Sequence, residues 1–200
     1  MRGSPRAAPA FGGAVLCGGA SRRMGRDKAL LVVEGRPLAG RVAHALETAG
    51  AARVEAVGGD GPALVAAGLV HRADRWPGEG PLGGIVTALT APGAEDVVVV
   101  AACDLVAPDP SAVRHLVERL LASGADVAVP VVDGRHQWLH AAWQRRVAGV
   151  LCDLFAAGER SVAGAVLGLR VLDVGDLPAA ALHDADRPED IPPDARYPSP

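Results

Sequence analysis

Gly13-Ala14-Val15-Leu16-Cys17-Gly18-Gly19-Ala20-Ser21-Arg22-Arg23-Met24-Gly25-Arg26-Asp27-Lys28 is the stretch on which the reading of this 200-residue chain turns. Residues 13–17 form a short apolar run suited to a buried strand, and paired glycines follow at once. A strand feeding a glycine-rich loop lets backbone N–H groups approach a ligand, because no Cβ stands in the way and several amides can point at one anion. Arg22, Arg23 and Lys28 add positive charge within the same loop. Lys28 is the only lysine among 20 basic residues, and its compact ammonium on a flexible stem is not equivalent to the planar fork of arginine. These pieces converge on a polyphosphate, although a glycine-rich loop taken alone is equally well a structural turn.

Neither common phosphate loop is spelled here. Lys28 follows Gly25 by three places and precedes Ala29, where a Walker A loop carries Ser or Thr for magnesium. Two adjacent glycines also lack the spacing of the dinucleotide fingerprint.

Outward from the loop, short apolar runs alternate with amphipathic stretches, the pattern of an α/β fold with a mostly parallel central sheet flanked by helices. Strands are expected over 13–17, 54–57, 69–71, 97–103, 126–130, 139–143 and 170–174. Helices are expected over 37–50, 62–67, 82–89, from a Ser111 cap to Gly124, and over 147–157. The run from Val97 to Cys103 has no polar alternation, as befits a central parallel strand buried on both faces. Residues 1–10 read as a flexible lead, 11–191 as one domain and 192–200 as a flexible proline-rich tail.

Composition narrows the function. An apolar fraction of 50% with 22% charged residues is that of a globular chain with a sizeable core. A net charge of -3 and pI near 6.1 argue against a nucleic-acid partner. No run approaches the roughly 18 apolar residues of a membrane span, and 14–17 is too short for a signal segment, so the expectation is a cytoplasmic protein without a membrane partner. Cys17, Cys103 and Cys152 are odd in number and widely spaced, which suits reduced cysteines in the core.

Asp104 closes the 97–103 run, at the sheet edge where ligands of open α/β sheets bind and where Gly18 also lies. Its carboxylate suits Mg²⁺ held against phosphate oxygens, or else caps the next turn. Asp184 and Asp186 alternate as in an extended segment, and Asp186-Arg187-Pro188-Glu189 also reads as a helix N-cap. His136 and His140 read as strand residues, not as metal ligands. His44 and His115 read as exposed helical positions. Asp133-Gly134-Arg135 reads as a hairpin turn, and Gly158-Glu159-Arg160-Ser161 as a helix stop and restart.

Together, residues 16–31 resemble the signature of the MobA-like nucleotidyltransferases, most closely the molybdenum cofactor guanylyltransferases. Pro81-Leu82-Gly83-Gly84-Ile85 resembles that family's base-side segment and Cys103-Asp104 its metal aspartate, and Asp133-Gly134-Arg135-His136 and Gly158-Glu159-Arg160 follow at suitable distances. The resemblance covers about 13–191. It implies a three-layer Rossmann-like nucleotidyltransferase fold and Mg²⁺-dependent transfer of GMP from GTP to the terminal phosphate of molybdopterin or Mo-molybdopterin, releasing pyrophosphate. It further implies that Leu16, Cys17, Gly18, Gly19, Lys28, Asp74, Pro81, Leu82, Gly83 and Asp104 meet the nucleotide. Lys28, Asp104, Arg22 and Arg23 would be catalytic. Asp104 would hold metal, with Asp186 as a second candidate. Arg135, His136, Glu159 and Arg160 would face the acceptor, and other molybdenum cofactor proteins or apo-molybdoenzymes are candidate partners.

The chain departs from the family pattern in four places. Gly58 stands where an asparagine is usual, and no proline follows Asp104 by two residues. Asp184 and Asp186 replace two asparagines, and Ile191-Pro192-Pro193 shortens the terminal helix. The alternatives are a cytidylyltransferase of the same cofactor, a relative with another phosphorylated acceptor, or a catalytically silent nucleotide-binding partner in molybdoenzyme maturation.

Overall fold

A computed structural model describes residues 10–18, 27–185, 190 and 195–197. Among the described residues ten strands and six α-helices follow one another as β1 (Phe11–Leu16), β2 (Val32–Val33), β3 (Arg36–Pro37), α1 (Leu38–Ala49), β4 (Ala51–Val57), α2 (Gly61–Ala66), β5 (His71–Arg72), α3 (Pro81–Leu89), β6 (Val97–Ala102), α4 (Pro110–Ser123), β7 (Val127–Val132), β8 (Arg135–His136), β9 (Ala142–Gln144), α5 (Ala148–Ala156), α6 (Val162–Ala165) and β10 (Val171–Val174).

The main sheet runs β10-β7-β9-β6-β1-β4-β5, with β8 hairpinned onto β7. β1 pairs in parallel with both β4 and β6, β4 with β5, and β7 with β10. β9 is antiparallel to both β6 and β7, and β8 is antiparallel to β7. β1 and β6 are buried along their whole length, and their residues divide between two cores. Val15, Val97, Val99 and Ala101 pack with Val42 and Leu46 of α1 and Leu116 and Leu120 of α4. Ala14, Leu16, Val98 and Val100 pack with Ile85 and Leu89 of α3 and Leu151 and Phe155 of α5. Helices therefore cover both faces, giving three layers, and strands wet on neither face need no polar alternation.

Local chemistry sets the helix ends. α1 stops where Gly50 turns left-handed at φ 107°, a conformation glycine enters at little cost. α4 differs from expectation at its start. Its cap is Asp109, whose Oδ1 accepts from Ser111 N at 2.7 Å, so Ser111 already lies in the first turn behind Pro110. The expected strand over 139–143 is also modified. Trp138–His140 forms a 3₁₀ turn and strand pairing begins only at Ala142, so His140 is not a strand residue.

Within the stretch 192–200, Arg196 exchanges backbone hydrogen bonds with Val32, at 2.8 and 3.0 Å. Ala195 and Tyr197 pack against the small cluster of Leu31, Val33, Leu38 and Ala185. These three residues are thus docked beside the segment that follows Lys28.

Candidate active site

β1 and β6 run side by side, so their C-terminal ends open on the same edge. Leu16 stands level with Ala102, and Cys103 N donates to Leu16 O at 3.1 Å. That pairing brings the start of the glycine-rich loop against Asp104. Of the predicted loop residues, Gly19, Arg22 and Arg23 lie outside the described residues, as does Asp186. Gly18 is exposed. Leu16 and Cys17 are buried, and Cys17 N is already given to Val57 O at 2.9 Å. Backbone donors available to a phosphate therefore begin no earlier than Gly18.

Lys28 returns to this edge from the far end of the loop. A 3₁₀ turn over Lys28–Leu30 is capped by Asp27, whose side chain accepts from Ala29 N at 3.0 Å. Lys28 Nζ lies 3.6 Å from Asp104 Oδ2, and the two side chains are only 12% and 19% exposed. The ammonium also donates to Ala185 O at 2.6 Å. Ala185 N in turn donates to Asp104 O at 2.9 Å. The loop lysine, the edge aspartate and the late acidic segment thus form one unit.

Beneath Asp104, Cys103 and Cys17 are buried side by side. A hydrogen bond with Cys17, burial, and the nearby carboxylates of Asp104 and Asp27 all push the Cys103 thiol well above its usual range. Cys103 remains a thiol at neutral pH and supplies no thiolate nucleophile.

Asp74 lies just past β5, which is held on β4 by a partly buried ion pair: Glu55 accepts from Arg72 at 2.5 and 2.8 Å. The Asp74 carboxylate is oriented from two sides, by Thr87 Oγ1 at 2.8 Å and Trp76 N at 3.1 Å. Gly58 is close by at φ 75°, and a Cβ there would stand 3.3 Å from Gly18 Cα and 3.5 Å from Asp74 Cβ. Gly58 therefore packs the β4 turn directly beneath the loop.

The first turn of α3 carries Pro81, Leu82 and Gly83. Pro81 is exposed, whereas the Leu82 side chain is fully buried and can offer a ligand only its backbone. Gly83 and Gly84 let α3 approach Phe155 and Leu16, since a Cβ at either position would lie 3.4 or 3.2 Å from those side chains.

The residues expected to meet the acceptor separate into two groups. Arg135 and His136 are exposed on the hairpin after β7, whose turn is left-handed at Asp133 and Gly134. His136 stacks on Trp138 at 4.7 Å and faces Asp173 at 3.0 Å. Glu159 accepts from Arg160 N and Ser161 N at 2.8 and 2.7 Å. Arg160 bonds Glu79 Oε2 at 2.7 Å and covers the Phe155 ring at 3.9 Å. The Gly158 turn is therefore joined to the turn before α3. Thr87 and His140 are not legible as site residues from spacing, because each reaches the edge through a contact between separate segments.

Among the described residues no group of three or more His, Cys, Asp or Glu is arranged to hold a metal ion. A single edge carboxylate still fits a cation that takes most of its remaining ligands from phosphate oxygens and water, the usual habit of Mg²⁺. No helix among the described residues is long and apolar enough to cross a membrane.

An open, mostly parallel sheet with a loop lysine and an edge aspartate meeting over β1 and β6 defines a nucleotidyltransferase type of α/β protein. The chain belongs to the MobA-like NTP transferase domain family, whose model matches residues 13–170. It is 30% identical to a probable molybdenum cofactor guanylyltransferase of Methanothermobacter thermautotrophicus, over 89% of this chain and 95% of the relative. It is 38% identical to the molybdenum cofactor guanylyltransferase of Rhodobacter capsulatus, over 76% and 77% of the two chains. Among solved structures, molybdopterin-guanine dinucleotide biosynthesis protein A from Archaeoglobus fulgidus superposes with a TM-score of 0.74 at 25% identity, covering 90% of this chain and 94% of that one.

Proposed function

We propose that the protein transfers GMP from GTP to the terminal phosphate of molybdopterin, or of its molybdenum-bearing form, in a Mg²⁺-dependent reaction that releases pyrophosphate. The observation that carries this reading is the 3.6 Å approach of Lys28 to Asp104 at the mouth of the glycine-rich loop. The guanylyltransferase names of relatives that align over most of both chains support the guanine nucleotide and the pterin acceptor.

In this reading an acceptor phosphate oxygen attacks the α-phosphorus of GTP, and the bond to the bridging oxygen of the β-phosphate breaks. The attacking phosphate is already anionic at neutral pH, so no protein nucleophile or strong base is needed. What remains for the chain is alignment and charge neutralisation. Lys28 and the amides from Gly18 onward meet the triphosphate, with Arg22 and Arg23 added from the loop. Asp74 and the first turn of α3 border the nucleoside. Arg135, His136, Glu159 and Arg160 border the acceptor, Arg160 chiefly by ordering the turn at Glu79. Asp104 would hold the cation together with substrate oxygens, and a bound Mg²⁺ would supply neutralisation of phosphate charge there.

The test is pyrophosphate release by purified protein with Mg²⁺, molybdopterin and either GTP or CTP. Release with GTP is expected. Release with CTP alone would sink the guanine assignment. Asp104→Asn should lower kcat by about a hundredfold; unchanged pyrophosphate release in that variant would remove Asp104 from the reaction.

A further inference from the structure

The late segment that holds Lys28 is itself held by a buried histidine. Residues 183–185 lie along the chain just after β6. Ala185 N donates to Asp104 O at 2.9 Å and Val106 N to His183 O at 3.0 Å, while Leu105 and Asp184 pair antiparallel. The side chain of Asp184 points back into the body, where its Oδ1 meets His140 Nε2 at 3.1 Å. The His140 side chain is 4% exposed.

His140 is an odd choice for its site. It borders an apolar cavity of about 40 Å³ shared with Leu105, Leu116, Leu177 and Leu182, a volume far below the several hundred Å³ of a ligand site. Its Nδ1 is buried with no hydrogen-bond partner among the described residues. An unsatisfied buried polar atom is costly, and a leucine would fill such surroundings without that penalty. Among the described residues, the one polar contact of the imidazole is the bond to Asp184. That bond ties the 3₁₀ turn before β9 to a segment 44 residues further along the chain.

We propose that His140 and Asp184 form a positioning pair, in which the imidazole anchors the 183–185 segment so that Ala185 O holds Lys28 beside Asp104. The chain of contacts runs His140 Nε2, Asp184 Oδ1, the Ala185 carbonyl, Lys28 Nζ and the Asp104 carboxylate. Neither His140 nor Asp184 touches a reacting atom in this arrangement. Their effect is on where the ammonium waits, and a misplacement of about 1 Å at a reacting phosphate can cost about a hundredfold in rate. The catalytic consequence rests on the nucleotidyl-transfer reading; the anchoring itself does not.

The test uses the full chain with His140→Leu, which keeps bulk and removes the donor, His140→Gln, whose amide can still donate from near the Nε2 position, and Asp184→Ala. Two readouts are needed: amide hydrogen exchange at Ala185 and Val106, and separate steady-state constants for GTP and for the acceptor. His140→Leu and Asp184→Ala should each speed exchange at both amides by about tenfold, with central β1 and β6 amides unchanged. Each should lower kcat/KM for GTP by about tenfold and leave the acceptor KM within about twofold. The double variant should be no worse than either single one, as expected for two partners of one bond. His140→Gln should recover most of both losses.

Unchanged exchange in His140→Leu would overturn the anchoring. Equal losses in His140→Gln would reduce His140 to a matter of packing, and losses that add in the double variant would break the pair. Faster exchange at the two amides in a protein whose wild type transfers no nucleotide would leave the anchor standing and sink the proposed reaction instead.

Discussion

Thr87 Oγ1, on the buried face of α3, donates to Asp74 Oδ1 at 2.8 Å and itself accepts from Arg75 N at 3.2 Å. One hydroxyl therefore ties the turn after β5 to the helix that follows it. Thr87→Val keeps the shape, removes the acceptor of Arg75 N and leaves Asp74 Oδ1 only the Trp76 N donor, in a partly buried place. A loss of about 1–3 kcal/mol in stability is expected, together with a higher KM for GTP and a smaller change in kcat. Denaturant unfolding and steady-state kinetics on the same preparation measure both.

Lys28→Arg keeps the charge and should still fail. The ammonium fits between Ala185 O at 2.6 Å and Asp104 at 3.6 Å, a space suited to a point charge and not to a planar fork with five donors. A fall in kcat/KM for GTP of at least about tenfold is expected, with a melting temperature close to wild type. Near-normal turnover would mean that the lone lysine has no special place in the reaction.

Gly58 offers a separation of two backbone effects. Alanine and asparagine would bring the same Cβ within 3.3 Å of Gly18, but asparagine enters the left-handed region more easily. Both substitutions should lower the melting temperature, Gly58→Ala more than Gly58→Asn, with a strain cost of about 1–3 kcal/mol for alanine. The Ala–Asn difference measures φ strain, and the Gly–Asn difference measures crowding beneath the loop. Thermal unfolding of the three proteins under one set of conditions checks the order.

Asp109 should make stability depend on acid. Its bonds from the Ser111 hydroxyl and backbone hold its carboxyl below the usual carboxylate range. A group depressed in the folded state stabilises above its unfolded pKa, and that contribution is lost as pH falls through the lower folded value. Asp109→Ala should therefore cost about 0.5–2 kcal/mol at neutral pH. The gap from wild type should narrow as pH drops below about 4, the ordinary aspartate value. Melting curves from pH 7 to pH 3 would show it; a gap independent of pH would contradict the capping role.

Much of this architecture is legible along the chain because it depends on neighbours. The unbroken apolar run of β6 announces burial on both faces, Gly50 and Gly124 mark helix ends, and the glycine pair after β1 marks the loop. Residues whose partners are remote are not legible in that way. Lys28 meets a carbonyl 157 residues away, and Thr87 and His140 serve partners that no local period predicts. Asp109 displaces Ser111 as the α4 cap for a local reason. Pro110, favoured in the first turn, sets the start one residue after the aspartate. The 139–143 segment reads as a strand because its residues suit one, yet Trp138–His140 winds into a 3₁₀ turn before antiparallel pairing begins at Ala142.

The reversed strand β9 also acts as a spacer. β6, which leads to Asp104, and β7, which leads to the hairpin of Arg135 and His136, point the same way but are not neighbours, because β9 lies between them. Two strand spacings, about 10 Å, separate their ends. A parallel sheet closed up over that gap would bring the hairpin one strand nearer to Asp104. β9 thus fixes the separation between the end of β6 and the hairpin after β7 at about two strand spacings.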